Sequence, residues 1–164
     1  MKKILLFVFY IAISCHVSTV KAQGNAEALM KQGQEFLANK EYVKARSTFL
    51  HAFNAFVAKG QSDKATYCGT RVASLYYREN YYKEAFDILR AADQCIVQGE
   101  QRNNSQRPDL RYATTKERLQ MYTRMRKASS AAEQISRLDA YANAAANDSL
   151  NKDLLYTKAS HYYT

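Results

Sequence analysis

An internal repeat constrains the fold of this chain more than any other feature of its sequence. Residues 33–52 align with residues 73–92 at a shift of 40. In both segments a small residue is followed three positions later by an aromatic residue, a short polar break and then Tyr-x-x-Ala. Residues three or four positions apart lie on one helix face, so each segment predicts two antiparallel helices that approach closely at their small residues. Repetition of such a pair predicts an all-α fold of stacked hairpins.

The spacing of these residues resembles that of the tetratricopeptide repeat (TPR) family. Three features depart from the family: Leu29 and Gly69 stand where an aromatic residue usually opens the first helix, the Pro that usually closes a unit is absent, and the period is 40 rather than roughly 34 residues. The resemblance implies a right-handed superhelical solenoid of antiparallel helix pairs, with three full repeats and a half. The positions that carry it are Leu29, Gly33, Phe36, Ala45, Phe49 and Ala52 in the first unit and Val72, Ala73, Tyr76, Ala85, Leu89 and Ala92 in the second.

The rest of the chain continues this pattern in a weaker form. Residues 99–109 are polar and predict a loop, with the only Pro of the chain, Pro108, in the first turn of the next helix. Residues 108–146 predict a third hairpin, whose second helix has an apolar stripe that includes Ile135 and Leu138. The predicted repeat domain spans 23–164, with units at about 26–59, 66–99, 108–146 and, incomplete, 151–164.

The end of the chain repeats the first half of a unit. The stretch Ala159–Tyr163 matches Ala73–Tyr77, since both read Ala-Ser-x-Tyr-Tyr. A fourth unit with only its first helix is therefore expected. Two explanations are open: the sequence is the N-terminal part of a longer polypeptide, or the last helix is a lone C-terminal cap. Terminal units need a polar outer face, and the last helix carries Leu154 and Leu155, which favours the first explanation.

The first 22 residues predict a signal peptide. Two lysines precede an apolar run from Ile4 to Ser14, which is too short for a transmembrane helix of roughly 20 residues. Val20 and Ala22 stand at the two positions that a signal peptidase reads. Lipid attachment at Cys15 and an uncleaved anchor are the alternatives, and all three predict export. We expect a periplasmic or periplasm-facing location in a Gram-negative bacterium.

The sequence predicts binding rather than catalysis. It has no Gly-rich phosphate loop, no paired Cys and His at metal-binding spacing and no Ser nucleophile elbow. No catalytic residue, metal ligand or cofactor is therefore expected in this chain. The net charge is +9, but nucleic acid is not an expected partner of an exported chain. The basic surface of an exported chain instead predicts contact with acidic protein, polysaccharide or an anionic membrane face.

The TPR resemblance implies a concave groove, lined by the first helix of each unit, that holds a protein or peptide. Residues one and four positions beyond each small residue are expected to face this groove, with their neighbours. Tyr and Arg are frequent interface anchors, although each residue could instead be an ordinary half-packed helix residue. Met30 and Gln34 stand where a carboxylate clamp has Lys and Asn, which argues against that binding mode. The expected groove residues are Gln34, Tyr67, Thr70, Ser74, Tyr77, Arg78, Lys116, Gln120, Arg124 and Tyr156.

A signal peptide followed by degenerate repeats resembles the periplasmic sensor part of some bacterial membrane histidine kinases. The resemblance implies a ligand-sensing module of a longer membrane signalling protein, whose missing C-terminal part could be a kinase. Membrane contact would then come through a missing downstream segment or, as the alternative, through lipidation at Cys15. A stand-alone periplasmic TPR adaptor or scaffold is the other interpretation.

Cleavage of the predicted signal peptide would leave two cysteines, Cys68 and Cys95. One lies near the start of a predicted first helix and the other near the end of its partner, and these ends are adjacent in an antiparallel hairpin. A disulfide between them is one alternative in an oxidising compartment. Two buried free thiols are the other.

Overall fold

The structure is a computed structural model that describes residues 25–162, and within this range it consists of α-helices and turns. The predicted signal segment 1–22, with its alternative at Cys15, lies outside the described residues. The all-α class is confirmed. The helices are α1 (25–38), α2 (Tyr42–Ala58), α3 (Ser62–Arg78), α4 (Tyr82–Asn103), α5 (Pro108–Arg124), α6 (Ala128–Ala145) and α7 (Asp148–Tyr162).

The turns after α1, α2, α3 and α5 close in the same way. In each, one residue adopts a positive φ, between 55° and 66°. The N–H of the next residue donates to the carbonyl of an aromatic residue in the last helical turn, and this bond satisfies a carbonyl left free at the helix end. The four bonds run from Glu41 to Phe36, Gln61 to Phe56, Tyr81 to Tyr76 and Lys127 to Tyr122, at 2.9 to 3.0 Å between N and O.

Several helix ends differ from the sequence prediction. α3 begins at Ser62 rather than near residue 66, α7 begins at Asp148 rather than near 151, and α4 continues to Asn103, into the predicted loop. Gly99 lies within α4 against Ser62, and a Cβ at this glycine would clash with the Ser62 hydroxyl. The polar residues from Gly99 onward predicted a loop. Gly99 instead permits close packing of α3 and α4, and this packing extends both helices beyond their predicted ends.

Small and aromatic residues alternate at the contacts between helices, as the repeat predicts. Phe49 of α2 is fully buried, and a Cβ added at Gly33 of α1 would lie 3.0 Å from its ring. The Phe49 ring also packs edge-on against Tyr67 of α3, with 6.3 Å between ring centroids. In the second hairpin Gly69 lies beside Ala92. The glycines therefore bring each pair of helices together, and the aromatic rings fill the remaining space.

The odd-numbered helices lie side by side, and side-chain hydrogen bonds join each to the next. Gln34 of α1 donates to the Tyr67 hydroxyl of α3 at 3.0 Å. The hydroxyl of Tyr77, further along α3, donates to Gln120 of α5 at 2.5 Å. The even-numbered helices pack beside this row, since α4 and α2 both contact α3, and α6 contacts α5 and α7. One layer of first helices results, and the candidate site lies on it.

Candidate functional site

A cavity of about 490 Å³ lies between α5 and α7, with one residue of α3 at its edge. It gathers half of the residues that the sequence predicted for a groove, and these come from three successive odd-numbered helices. They are Tyr77, Lys116, Gln120, Arg124 and Tyr156. Ser160 of α7, beside the last of these, also lines the cavity.

Polar contacts between helices hold the walls of this cavity in place. Lys116 of α5 forms an ion pair with Asp153 of α7, with 2.5 Å between Nζ and Oδ1. The other carboxylate oxygen of Asp153 accepts a hydrogen bond from the Tyr112 hydroxyl at 2.8 Å. Thr123 Oγ1 lies 2.9 Å from His161 Nδ1. Cross-helix contacts of this kind restrict how far α5 and α7 can separate, so the cavity is largely preformed.

The cavity wall combines aromatic surface with an excess of basic side chains. Lys116, Arg124 and His161 face a single acidic residue, Asp153. The guanidinium of Arg124 donates a long hydrogen bond, 3.4 Å, to the Arg78 carbonyl. Tyr156 is 79% exposed. An exposed aromatic side chain and a guanidinium in the lining of one cavity are typical of a surface that binds protein.

The other predicted groove residues lie elsewhere along the odd-numbered helices. Gln34 and Tyr67 bond to each other between α1 and α3. The side chain of Thr70 forms a hydrogen bond within its own helix, since its hydroxyl donates to the Tyr67 carbonyl at 2.9 Å. Ser74 is half-buried and hydrogen bonds to Tyr77. These residues continue the same surface towards the N-terminus without lining the cavity.

Arg78 contacts the neighbouring helix α2. Its guanidinium lies over the ring of Tyr42 in α2, 4.0 Å from the ring centroid, so this side chain joins helices instead of lining the cavity. The sequence spacing placed Arg78 beside Tyr77 but did not indicate which way its long side chain points.

The sequence prediction missed Glu117, which adjoins Lys116 in α5. One oxygen of its carboxyl group is buried without a hydrogen-bond partner. Burial raises its pKa to about 7, although the charges of Arg71 and Lys116 oppose this shift. Glu117 lies three positions after Thr114 and four before Met121, both buried, so its place on this helix stripe could have indicated a buried acid.

Cys68 and Cys95 are both buried and are free thiols in the structure. Burial raises the pKa of the Cys68 thiol to about 12. Burial likewise raises the pKa of Cys95, against the opposing charge of Arg102. Neither thiol is therefore activated as a nucleophile or ligand.

We expect the thiols to be unreactive in the folded chain and to react once it unfolds. At a pKa of about 12, only about one Cys68 in 10,000 is a thiolate at pH 8. The test treats unreduced chain from Gln23 on, which lacks Cys15, with a thiol reagent before and after denaturation. Two thiols should label only after denaturation, and one in a Cys95→Ala control. No labelling of the denatured chain would instead show a disulfide.

Three findings complete the description of the site. Within residues 25–162 no cluster of His, Cys, Asp and Glu could hold a metal ion, and no helix is both long and apolar enough to cross a membrane. Compared with protein-family models, curated proteins and solved structures, the chain shows no match. The function must therefore be inferred from the chemistry of the site itself.

Proposed function

We propose that the chain is a non-catalytic TPR-like interaction module, a right-handed solenoid whose first helices form the binding surface. The row of odd-numbered helices supports this proposal. Hydrogen bonds join α1 to α3 and α3 to α5, and an ion pair joins α5 to α7. A continuous layer of first helices is what such a solenoid would present to a partner.

The partner that fits the cavity best is an extended segment of another protein that carries an acidic residue. The observation that carries this proposal is the cavity of about 490 Å³ between α5 and α7. Its volume lies within the range of roughly 300–1,000 Å³ that is common for ligand sites. Its basic excess, Lys116 and Arg124 against Asp153, favours an anionic group, and the exposed ring of Tyr156 favours an apolar neighbour.

Selection of linear peptides from a random display library against the chain from Gln23 on tests this proposal. We expect the selected peptides to be enriched in Asp or Glu. Tyr156→Ala and Arg124→Ala should each weaken binding of a labelled, synthetic selected peptide by about tenfold, measured by fluorescence anisotropy. Tyr81→Ala is the matched control, because Tyr81 is 50% exposed and lies outside the cavity lining. Failure to select any peptide, or equal binding by all variants, would contradict the proposal.

The biological context that we propose is the periplasmic sensor part of a longer membrane signalling protein of the histidine kinase type. The predicted signal segment and the repeat organisation support it. Reading the gene beyond the codon for Thr164 tests it. An open frame that continues into a second hairpin half and then an apolar run of roughly 20 residues supports the sensor. An immediate stop codon favours a stand-alone periplasmic adaptor.

A further inference from the structure

The turns after α1, α3 and α5 lie next to one another and form one edge of the molecule. Arg124, the last residue of α5, donates to the Arg78 carbonyl at the end of α3. The Arg78 guanidinium lies over the ring of Tyr42, the first residue of α2. An ion pair between Arg46 of α2 and Glu79 joins the same two turns. We call this surface the basic edge and define it by residues 39–46, 78–84 and 124–127.

The basic edge carries eight Lys and Arg residues against three Glu residues, which is a net charge of +5. Two of the three acids, Glu41 and Glu79, form ion pairs within the edge. Lys40, Arg126 and Lys127 are exposed, and none of them forms an ion pair within the part of the chain that the structure describes. Their positive charge is therefore available to an anionic surface.

Exposed apolar side chains lie among these charges. Val43 is 64% exposed in the first turn of α2, and Tyr81 is 50% exposed immediately before α4. Lys40 and Lys83 lie three and two positions from them in the sequence. Apolar and tyrosine side chains flanked by Lys and Arg are typical of a surface that binds at the headgroup level of a bilayer. The apolar parts enter the lipid there, and the charged groups meet phosphates.

The opposite edge of the molecule, at residues 59–64, 100–111 and 146–152, lacks both features. It carries six Lys and Arg residues against four acidic residues. None of the large hydrophobic side chains that are exposed in the described part of the chain lies there. Both edges consist of helix ends and turns, so the composition of the basic edge is not a general property of helix ends. Two arginines of the opposite edge are neutralised within it: Arg107 by Asp63 and Asp109, and Arg111 by Glu100.

We propose that the basic edge binds the surface of an anionic lipid bilayer. Val43 and Tyr81 enter the headgroup region. Lys40, Arg126 and Lys127 lie against the lipid phosphates. A bilayer fits this edge because packed helices are roughly 8–10 Å apart, so a flat surface meets all three turns at once. An acidic polysaccharide would use the charges alone, whereas a bilayer also accounts for the exposed apolar side chains.

Co-sedimentation of the chain from Gln23 on with lipid vesicles tests this proposal. Vesicles of phosphatidylglycerol and phosphatidylcholine in equal parts should bind the chain, vesicles of phosphatidylcholine alone should not, and binding should fall as salt is added. Arg126→Gln/Lys127→Gln should lower the partition coefficient about thirtyfold, since each charge contributes roughly fivefold. Lys31→Gln/Lys152→Gln is the matched control, because it removes two exposed charges from outside the basic edge and should change the coefficient by no more than about twofold.

Two further variants test the apolar contact. The chain contains no Trp, so Tyr81→Trp introduces a single fluorophore at the basic edge. Its emission should shift to shorter wavelength on the mixed vesicles and be quenched by brominated lipid. Tyr156→Trp is the control, because this exposed side chain belongs to the cavity lining and its emission should not shift. Val43→Ala should lower the partition coefficient about threefold, because it removes apolar surface from the lipid contact.

Three results would overturn the proposal. The mixed vesicles could fail to bind the chain, or the two double variants could lose binding equally, which would reflect net charge alone. Alternatively, alginate could bind as tightly as the vesicles, through Arg126 and Lys127 and without any effect of Val43→Ala, which would make the edge a polysaccharide site. Neither Arg126 nor Lys127 lines the cavity, so their double variant should bind a selected peptide normally. Failure of this inference is therefore distinguishable from failure of the proposed peptide binding.

Discussion

Phe49→Ala is expected to lower the free energy of unfolding by about 3–5 kcal/mol, which is the range for removing a buried phenyl ring. The ring is fully buried where three helices meet: it belongs to α2, lies against Gly33 of α1 and packs edge-on against Tyr67 of α3. Its loss leaves a cavity that none of the three helices can fill without moving away from another neighbour. Urea-induced unfolding followed by circular dichroism measures the effect.

Two further variants make this prediction specific. Val43→Ala, on the same helix but exposed, should change the free energy of unfolding by no more than about 0.5 kcal/mol. Phe49→Leu retains much of the buried volume and should cost about 1 kcal/mol, so it reports on the site even if Phe49→Ala does not fold. Equal, small losses in Phe49→Ala and Val43→Ala would show that α1, α2 and α3 do not meet at this ring.

Glu117→Gln is expected to stabilise the chain by about 3 kcal/mol at pH 8 and to have little effect at pH 4, where the carboxyl is protonated in both states. Burial raises the pKa of Glu117 in the folded chain from its ordinary value of 4.5 to about 7. Between these values the unfolded chain has released the proton and the folded chain retains it. The contribution of Glu117 to stability is therefore highest below about pH 4.5, falls as the pH rises and reaches its low plateau above about pH 7.

Urea-induced unfolding of the unchanged chain and the variant across this pH range measures the difference. Glutamine keeps the shape of the side chain and cannot ionise, so the curves should diverge as the pH rises. Glu133→Gln is the control, since its carboxylate is exposed and pairs with Arg137 on the surface of α6. That change should alter stability by less than about 1 kcal/mol. A difference between the unchanged chain and Glu117→Gln that is independent of pH would contradict the burial of this carboxyl.

The helices were predictable because their signals are local. The spacing of Gly33, Phe36 and Ala45 predicts a hairpin without knowledge of the rest of the chain, and the first predicted unit, 26–59, closely matches α1 and α2. The end of α4 was not predictable in this way. Gly99 and the polar residues after it are typical of a loop, yet contact with Ser62 keeps them helical. That contact joins residues far apart in sequence.

The candidate site was predictable only in part, for a related reason. Helix spacing indicates which face a residue lies on, and it placed Tyr77, Gln120 and Tyr156 on the surface where the cavity forms. It does not indicate where a long side chain ends. The guanidinium of Arg78 lies over the Tyr42 ring. Lys116 forms an ion pair with Asp153, and it can do so only because α7 lies beside α5. The burial of Glu117 likewise depends on how α5 packs.

The closed turns bear on the number of residues that separate successive repeats of this chain. Each of these four reversals is fixed by hydrogen bonds at a helix end, independently of the length of the helix before it. α4 has 22 residues where α2 has 17, and although its end is not one of the four closed turns, a residue with positive φ, Asn104, again ends the helix before the chain turns back. The residues with positive φ fall at 40, 60 and 80 and then drift to 104, 126 and 146. The helix pairs therefore repeat regularly in space, although the number of residues per unit changes along the chain. This change is why the third unit looks degenerate in the sequence, although its helices pair like those of the other units.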